Sequence, residues 1–266
     1  MSAFHTIRVS DPRFERDHLR IITVKSKALH GRGDMSLFVP PNCPQDAPLV
    51  ILLHGVYGSH WSWSLGGGVH QTAQRLIESG DIAPMVIAMP SDGLWGDGSG
   101  YLPHQQKDYE RWIVAEVPKA VAEIVPAVTD KSLHFIGGLS MGGFGALRLG
   151  GKYAAQFAGI SAHSAITHFE QLAQFVEEPL AAFNASAKNF SAADALIDNK
   201  SQLPPVRFDC GTSDPLLNAN RSLHESLNQA GIQHRYEEFE GGHEWPYWEL
   251  HVADTLKFFD QICRQP

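Results

Sequence analysis

Cysteine is scarce in this chain. Only Cys43, Cys210 and Cys263 occur in 266 residues, an odd number at wide spacing, which argues against a disulfide framework and offers no clustered pair for a zinc site. Basic residues are outnumbered, with 21 Lys and Arg against 29 Asp and Glu and a formal net charge of −8. An acidic surface is not drawn to polyanions, so neither nucleic acid nor an anionic membrane is expected as a partner. No apolar run approaches the roughly 18 residues of a membrane span. The leading MSAFHTIRVSDPRFERDH lacks an apolar core of signal-peptide length, and the expected location is therefore the cytoplasm. There is no internal repeat, no low-complexity tract and no boundary that would divide the chain, so residues 1–266 are expected to form one α/β domain.

Glycine, by contrast, is abundant, and one cluster of it organises the rest. The stretch SLHFIGGLSMGGFGALRLGGKY, residues 132–153, reads as a buried strand, a tight turn and a helix with Ser140 at the apex. Gly138 and Gly142 bracket that serine in the pattern G-x-S-x-G, which sets a nucleophile on a strained strand-to-helix elbow. The turn aims the Met141 N–H at the reaction centre, near the positive end of the following helix, where a developing oxyanion is stabilised. The competing reading of these five letters is a glycine-rich connection in an α/β sheet, and the remainder of the chain has to decide between them.

Around the elbow, strands alternate with helices. Residues 19–25 and 35–39 read as an antiparallel pair joined by a turn over residues 31–34, and residues 49–53, 85–89, 157–162, 205–210 and 234–239 as further strands. Val69, Ala73, Leu76 and Ile77 recur at helical spacing, residues 108–125 read as a helix broken near Val117-Pro118, and Leu223, Leu227 and Ala230, then Val252, Leu256 and Phe259, mark two more. No strand is evident in residues 166–203; Phe169, Leu172, Ala173 and Val176 suggest one amphipathic helix there, and Ser191 with Asp194 the capped start of another. The expectation is a mostly parallel central sheet flanked by helices, with a small helical insertion over the site.

A serine hydroxyl needs a base, and the base needs a carboxylate, on loops at the same sheet edge. Of 14 histidines, His243 follows the last strand in GGHEWPYW. His134 lies within a strand, His224 and His251 on helices, and His5, His18 and His30 precede the sheet, while His163 ends a strand as a candidate pocket wall. Asp214 follows a strand in CGTSDPLL, where it also suits a helix cap with Pro215 behind it. The order Ser140, Asp214, His243, each after a strand, favours catalysis; Asp194, Asp198 and Asp209 fit less well. The second oxyanion N–H is assigned to Val56, after the strand in LLHGVYGS, with His54 as a structural tie.

These segments together, LLHGVYGS, GLSMGGFGAL, GTSDPLL and GGHEWPYW, resemble the esterase D branch of the α/β-hydrolases, which includes tributyrin-type carboxylesterases, feruloyl and acetyl-xylan esterases, S-formylglutathione hydrolase and the antigen 85 mycolyltransferases. The resemblance extends over about residues 20–260. It implies an α/β-hydrolase fold and a serine hydrolase of small carboxylic esters, with Ser140, Asp214 and His243 as its triad and neither a metal nor an organic cofactor. S-formylglutathione hydrolases usually carry a cysteine-containing segment after the first oxyanion glycine and a histidine in SMGGHGA, whereas this chain has VYGSHWSW and Phe144. A small-ester carboxylesterase of tributyrin or feruloyl type fits best. A thioesterase, an acyltransferase or peptidase with the same triad, and a non-catalytic binder of acyl compounds remain alternatives, and the oligomeric state is open.

Aromatic residues crowd the loops expected near the serine. Tyr57, Trp61, Trp95, His163 and Trp245 are the candidate pocket residues, and the competing reading for each is packing of its loop onto the domain. Asp92 and Asp97 read as turn formers rather than as a cation site.

Overall fold

A computed structural model describes residues 4–186 and 190–265. Its frame is a nine-stranded sheet in the order β1-β2-β3-β5-β4-β8-β9-β10-β11. The first three strands, β1 (Ile7–Val9), β2 (Leu19–Ser26) and β3 (Gly31–Phe38), run antiparallel, and β3 also pairs antiparallel with β5 (Val86–Pro90). From there every neighbour is parallel: β5 with β4 (Leu49–Leu53), β4 with β8 (His134–Leu139), then β9 (Gly159–His163), β10 (Val206–Gly211) and β11 (Arg235–Phe239). A separate two-stranded pair, β6 (Pro103–His104) and β7 (Lys107–Asp108), sits in the long loop after β5.

Alternation along the central strands builds two cores. Leu49, Ile51 and Leu53 face one side of β4, while Val50 and Leu52 face the other. The first side is covered by α3 (Val117–Ile124), α4 (Met141–Lys152), α5 (Ala192–Asp198) and α6 (Leu217–Gln229). The second is covered by α1 (Val69–Glu78) and α7 (Trp245–Cys263), which also touch each other. Helices on both faces bury β4 completely and β8 from Phe135 onward, which explains the continuous apolar run of β4. Among the described residues no helix is long and apolar enough to cross a membrane.

Three local expectations need correction. The turn between β2 and β3 covers residues 27–30, and Gly31 and Gly33 belong to β3. Gly33 serves packing: a Cβ there would stand 2.6 Å from the Trp112 ring. The helix over residues 109–124 continues through Pro118 instead of breaking, as a short α2 (Tyr109–Arg111), a π-helical stretch Trp112–Glu116 and then α3. The wide π turn and the position of Pro118 in the first turn of α3 remove the need for its missing N–H. In the insertion, Phe169–Gln174 is a 3-10 turn rather than an amphipathic α-helix, whereas Ser191 caps α5 through Asp194 N–H at 3.0 Å. Residues 187–189 of the 166–203 insertion lie outside the described residues.

Candidate active site

Ser140 stands between β8 and α4 at φ 55° and ψ −119°, a left-handed backbone that costs a serine energy and marks the elbow. The turn closes because two glycines let backbone touch backbone. A Cβ on Gly138 would lie 2.2 Å from the Gly142 carbonyl oxygen, and one on Gly142 would lie 2.2 Å from that of Leu53. Gly142→Ala is therefore expected to cost stability near the upper end of about 1–3 kcal/mol, because the obstacle is main chain and cannot swing aside; urea denaturation measures it.

The elbow is tied on both sides. Ser140 N–H donates to the His163 carbonyl at 3.0 Å, and Ser140 C=O accepts Phe144 N–H at 3.0 Å and Ile166 N–H at 3.1 Å. The hydroxyl caps nothing in α4. Instead Ser140 Oγ lies 2.9 Å from His243 Nε2, and His243 Nδ1 lies 2.9 Å from Asp214 Oδ2. The carboxylate can only accept from Nδ1–H, so Nε2 presents its lone pair to the Ser140 hydroxyl. Burial opposes ionisation of Asp214, but the hydrogen bond and charge of His243, with Leu216 N–H at 2.8 Å, hold its carboxyl below the ordinary value. The helix-cap and triad readings of Asp214 coexist, because Oδ1 takes Leu216 N–H while Oδ2 takes His243.

The imidazole is also held by its faces. The Phe175 ring stacks on it with centroids 5.2 Å apart and planes at 26°, and Trp248 meets it edge-on at 5.0 Å. No periodic pattern in the sequence points to Phe175. Its one signal is an aromatic residue off the apolar stripe of Phe169, Leu172 and Val176.

The residues expected to form an oxyanion hole sit beside the serine. A Cβ on Gly55 would be 3.3 Å from Ser140 Cβ, and Gly98 packs against both Met141 and Val56. Among the described residues, the N–H groups of Val56 and Met141 make no hydrogen bond, so both are free to serve a ligand oxygen. His54 anchors this loop: Nδ1–H donates to the Gly55 carbonyl at 2.7 Å, Nε2 accepts Asp92 N–H at 3.1 Å, and Tyr101 Oη donates to the His54 carbonyl at 3.0 Å.

A cavity of about 240 Å³ opens on Ser140 and His243. Its walls include Val56, Tyr57, Trp61, Phe175, Trp245 and Trp248, with no charged side chain among them. Of the five candidate pocket residues, Tyr57, Trp61 and Trp245 are thus brought to the site, and His163 and Trp95 are not. The buried His163 ring pairs with Asp209 at 2.8 Å and Thr255 Oγ1 at 2.8 Å, so only its carbonyl serves the elbow. Trp95 packs on His104 and Phe183, away from the serine. A larger groove of about 810 Å³, lined by Lys200, Pro205, His234 and Arg235 among others, lies at the opposite edge of β10 and β11 and contains none of these groups. Among the described residues no cluster of three His, Cys, Asp or Glu could hold a metal ion.

This arrangement can move a proton from a serine hydroxyl to an imidazole beside two unspent N–H donors, in a cavity of aromatic walls. Comparison with known proteins gives the family and the fold. The family model described as “Putative esterase” matches residues 26–259. An acetyl esterase from Caldicellulosiruptor saccharolyticus is 29% identical over 232 residues, covering 80% of this chain and 83% of the relative. Among solved structures, a ferulic acid esterase superposes with a TM-score of 0.79 at 25% identity, covering 96% of this chain and 99% of the other. An S-formylglutathione hydrolase from Agrobacterium tumefaciens superposes at 0.75 with 18% identity, covering 98% and 99%, a likeness of fold alone. With most of its length matched by the family model and its fold shared with these enzymes, the chain belongs to the “Putative esterase” family, carboxylic ester hydrolases with the α/β-hydrolase fold.

Proposed function

We propose that this chain, acting as one α/β-hydrolase domain in the cytoplasm, hydrolyses small uncharged carboxylic esters through an acyl-enzyme on Ser140. The observation that carries this reading is the continuous chain Ser140 Oγ to His243 Nε2 and His243 Nδ1 to Asp214 Oδ2, both at 2.9 Å.

Ser140 Oγ attacks the ester carbonyl carbon as its proton passes to His243 Nε2. Asp214 holds the imidazole through Nδ1–H and stabilises its charged form. The carbonyl oxygen becomes an oxyanion facing the N–H groups of Val56 and Met141. Collapse of the adduct breaks the bond to the alkoxy oxygen, which leaves as the alcohol with the proton from Nε2. Water then gives its proton to Nε2 and attacks the acyl carbon; the second adduct releases the acid and restores the Ser140 hydroxyl. The aromatic walls suit an apolar acyl or alcohol group. An engineered apolar cavity of about 150 Å³ admits benzene, so 240 Å³ leaves room for a short alkyl or single-ring group.

A fluorophosphonate probe tests the assignment directly. The expected outcome is stoichiometric phosphonylation of Ser140 in the wild-type protein, read by peptide mass spectrometry, and a rate of labelling reduced at least about 100-fold in His243→Ala, since the base contributes typically 10²–10⁴. Folded wild-type protein that remains unlabelled, or is labelled elsewhere, would refute the reading.

A further inference from the structure

We propose that Asp97 is a positioning residue for this reaction, clamping the oxyanion loop to the segment that holds the base; the proposal rests on the esterase reading. Three segments meet at this residue. Its carbonyl accepts Tyr57 N–H at 2.8 Å, from the loop after β4 that carries Val56. Its own N–H points between the two carboxylate oxygens of Glu178, 3.2 Å from each, and its Oδ2 accepts Glu177 N–H at 2.6 Å. Glu177 and Glu178 belong to the insertion, just beyond Phe175, whose ring lies on the His243 imidazole. One residue thus joins the two halves of the apparatus, oxyanion donor and base, through hydrogen bonds that no element of regular structure supplies.

The neighbours of Asp97 are fitted to the same purpose. Gly96 has φ +52°, and a Cβ on it would stand 2.3 Å from Glu178 Oε1, so the carboxylate is seated against bare backbone. A Cβ on Gly98 would meet Met141 Sδ at 2.5 Å and Val56 Cγ1 at 3.5 Å, so the loop abuts both residues assigned to the oxyanion. Tyr57 is held at φ 56°, a backbone that a tyrosine does not adopt unforced. The Asp97 carbonyl is the hydrogen-bond partner of its N–H. Releasing Glu177 and Glu178 from Asp97 frees the insertion at one end of the clamp and leaves Tyr57 held by a loop that has lost its own support. The Val56 N–H then loses its fixed aim, and Phe175 its fixed stacking.

The test uses Asp97→Asn, Asp97→Ala and the double variant Asp97→Ala/Glu178→Ala in the full chain, with three readouts: steady-state kinetics on p-nitrophenyl acetate, inhibition by phenylboronic acid as a mimic of the tetrahedral adduct, and hydrogen exchange at the Tyr57 amide. Misplacement by about 1 Å costs on the order of 100-fold in rate. The double variant is therefore expected to lose about 10- to 100-fold in kcat with KM within about twofold, and its boronate inhibition constant to rise in step with the fall in kcat/KM. Its Tyr57 amide should exchange faster. Asp97→Asn keeps an oxygen acceptor for Glu177 N–H and is expected to retain most of the rate, which a merely structural loss would not predict. Unchanged kcat and unchanged Tyr57 exchange in the double variant would overturn the clamp, as would a rise in KM alone. Wild-type turnover that disappears in Ser140→Ala is measured in the same series; its absence counts against the esterase reading, whereas the exchange rate needs no substrate and still reads the clamp.

Discussion

Ser140→Ala is expected to lower kcat for p-nitrophenyl acetate by about 10⁵- to 10⁶-fold while leaving the unfolding free energy within about 1 kcal/mol of wild type. In the proposed mechanism the Ser140 hydroxyl oxygen forms the new bond, and it is the hydroxyl that His243 Nε2 faces at 2.9 Å. No thiol lines the cavity, and Cys210, four positions before Asp214, is fully buried in β10 with its pKa pushed up by burial and by Asp214, so it is no substitute nucleophile. The fold should tolerate the change because Ser140 Oγ caps nothing in α4 and its main-chain bonds to His163, Phe144 and Ile166 survive in alanine. The expected residue of activity comes from Val56 and Met141 N–H acting on water attack. Kinetics with purified variant and wild type, alongside urea titrations of both, check the two halves of the expectation. A rate within tenfold of wild type would remove Ser140 from the mechanism.

Asp209→Ala is expected to cost about 3–5 kcal/mol of stability, because it removes the shortest charge partner of a buried guanidinium. Arg207 is fully buried and places its NH1 2.6 Å from Asp209 Oδ2; its other ion-pair contacts, Glu237 at 3.3 Å and Asp254 at 3.9 Å, are longer, as is its contact with Thr255 Oγ1 at 3.5 Å. Tyr247 donates its hydroxyl to Asp209 Oδ1 at 2.7 Å, and a Cβ on Gly241, in the loop that carries His243, would stand 2.7 Å from the Tyr247 ring. The buried network thus supports the loop that carries His243. Burial alone would raise the Asp209 pKa, yet contact with His163 and the charge of Arg207 bring it down to about 2 from an ordinary 3.8. A depressed carboxyl stabilises the fold above its unfolded pKa and loses that contribution as pH falls through the folded one. About 2 kcal/mol is therefore present above about pH 4 and fades toward pH 2. Urea titrations from pH 6 to pH 2 should show this loss in the wild type. The stability of Asp209→Ala, already low, should lack that part of the pH dependence.

What could be read from the sequence was what is encoded locally. The elbow is legible because Gly138 and Gly142 are required by contacts within one turn. Asp214 and His243 are legible because each follows a strand, and parallel strands deliver their following loops to one edge. Glycine misled where its reason was distant: Gly31 and Gly33 read as a turn, but Gly33 makes room for Trp112, nearly eighty positions away in sequence. The aromatic loops were legible only in part. Tyr57, Trp61 and Trp245 reach the cavity, whereas Trp95 packs on Phe183, and the destination of a side chain on an irregular loop depends on neighbours that no pattern names. Phe175 was invisible for the same reason, and Asp97 read as a turn former although its hydrogen bonds join three segments.

The parallel run from β5 to β11 also bears on when the chain becomes reactive. Parallel neighbours are joined by crossovers, so each pairing waits for a long intervening segment, and the hydrogen bond from His243 to Ser140 closes a span of 103 positions. Contacts of such separation form late in folding. On the proposed mechanism, a nascent or partly folded chain therefore carries Ser140 as an ordinary hydroxyl without a base, and its reactivity arises together with the completed sheet.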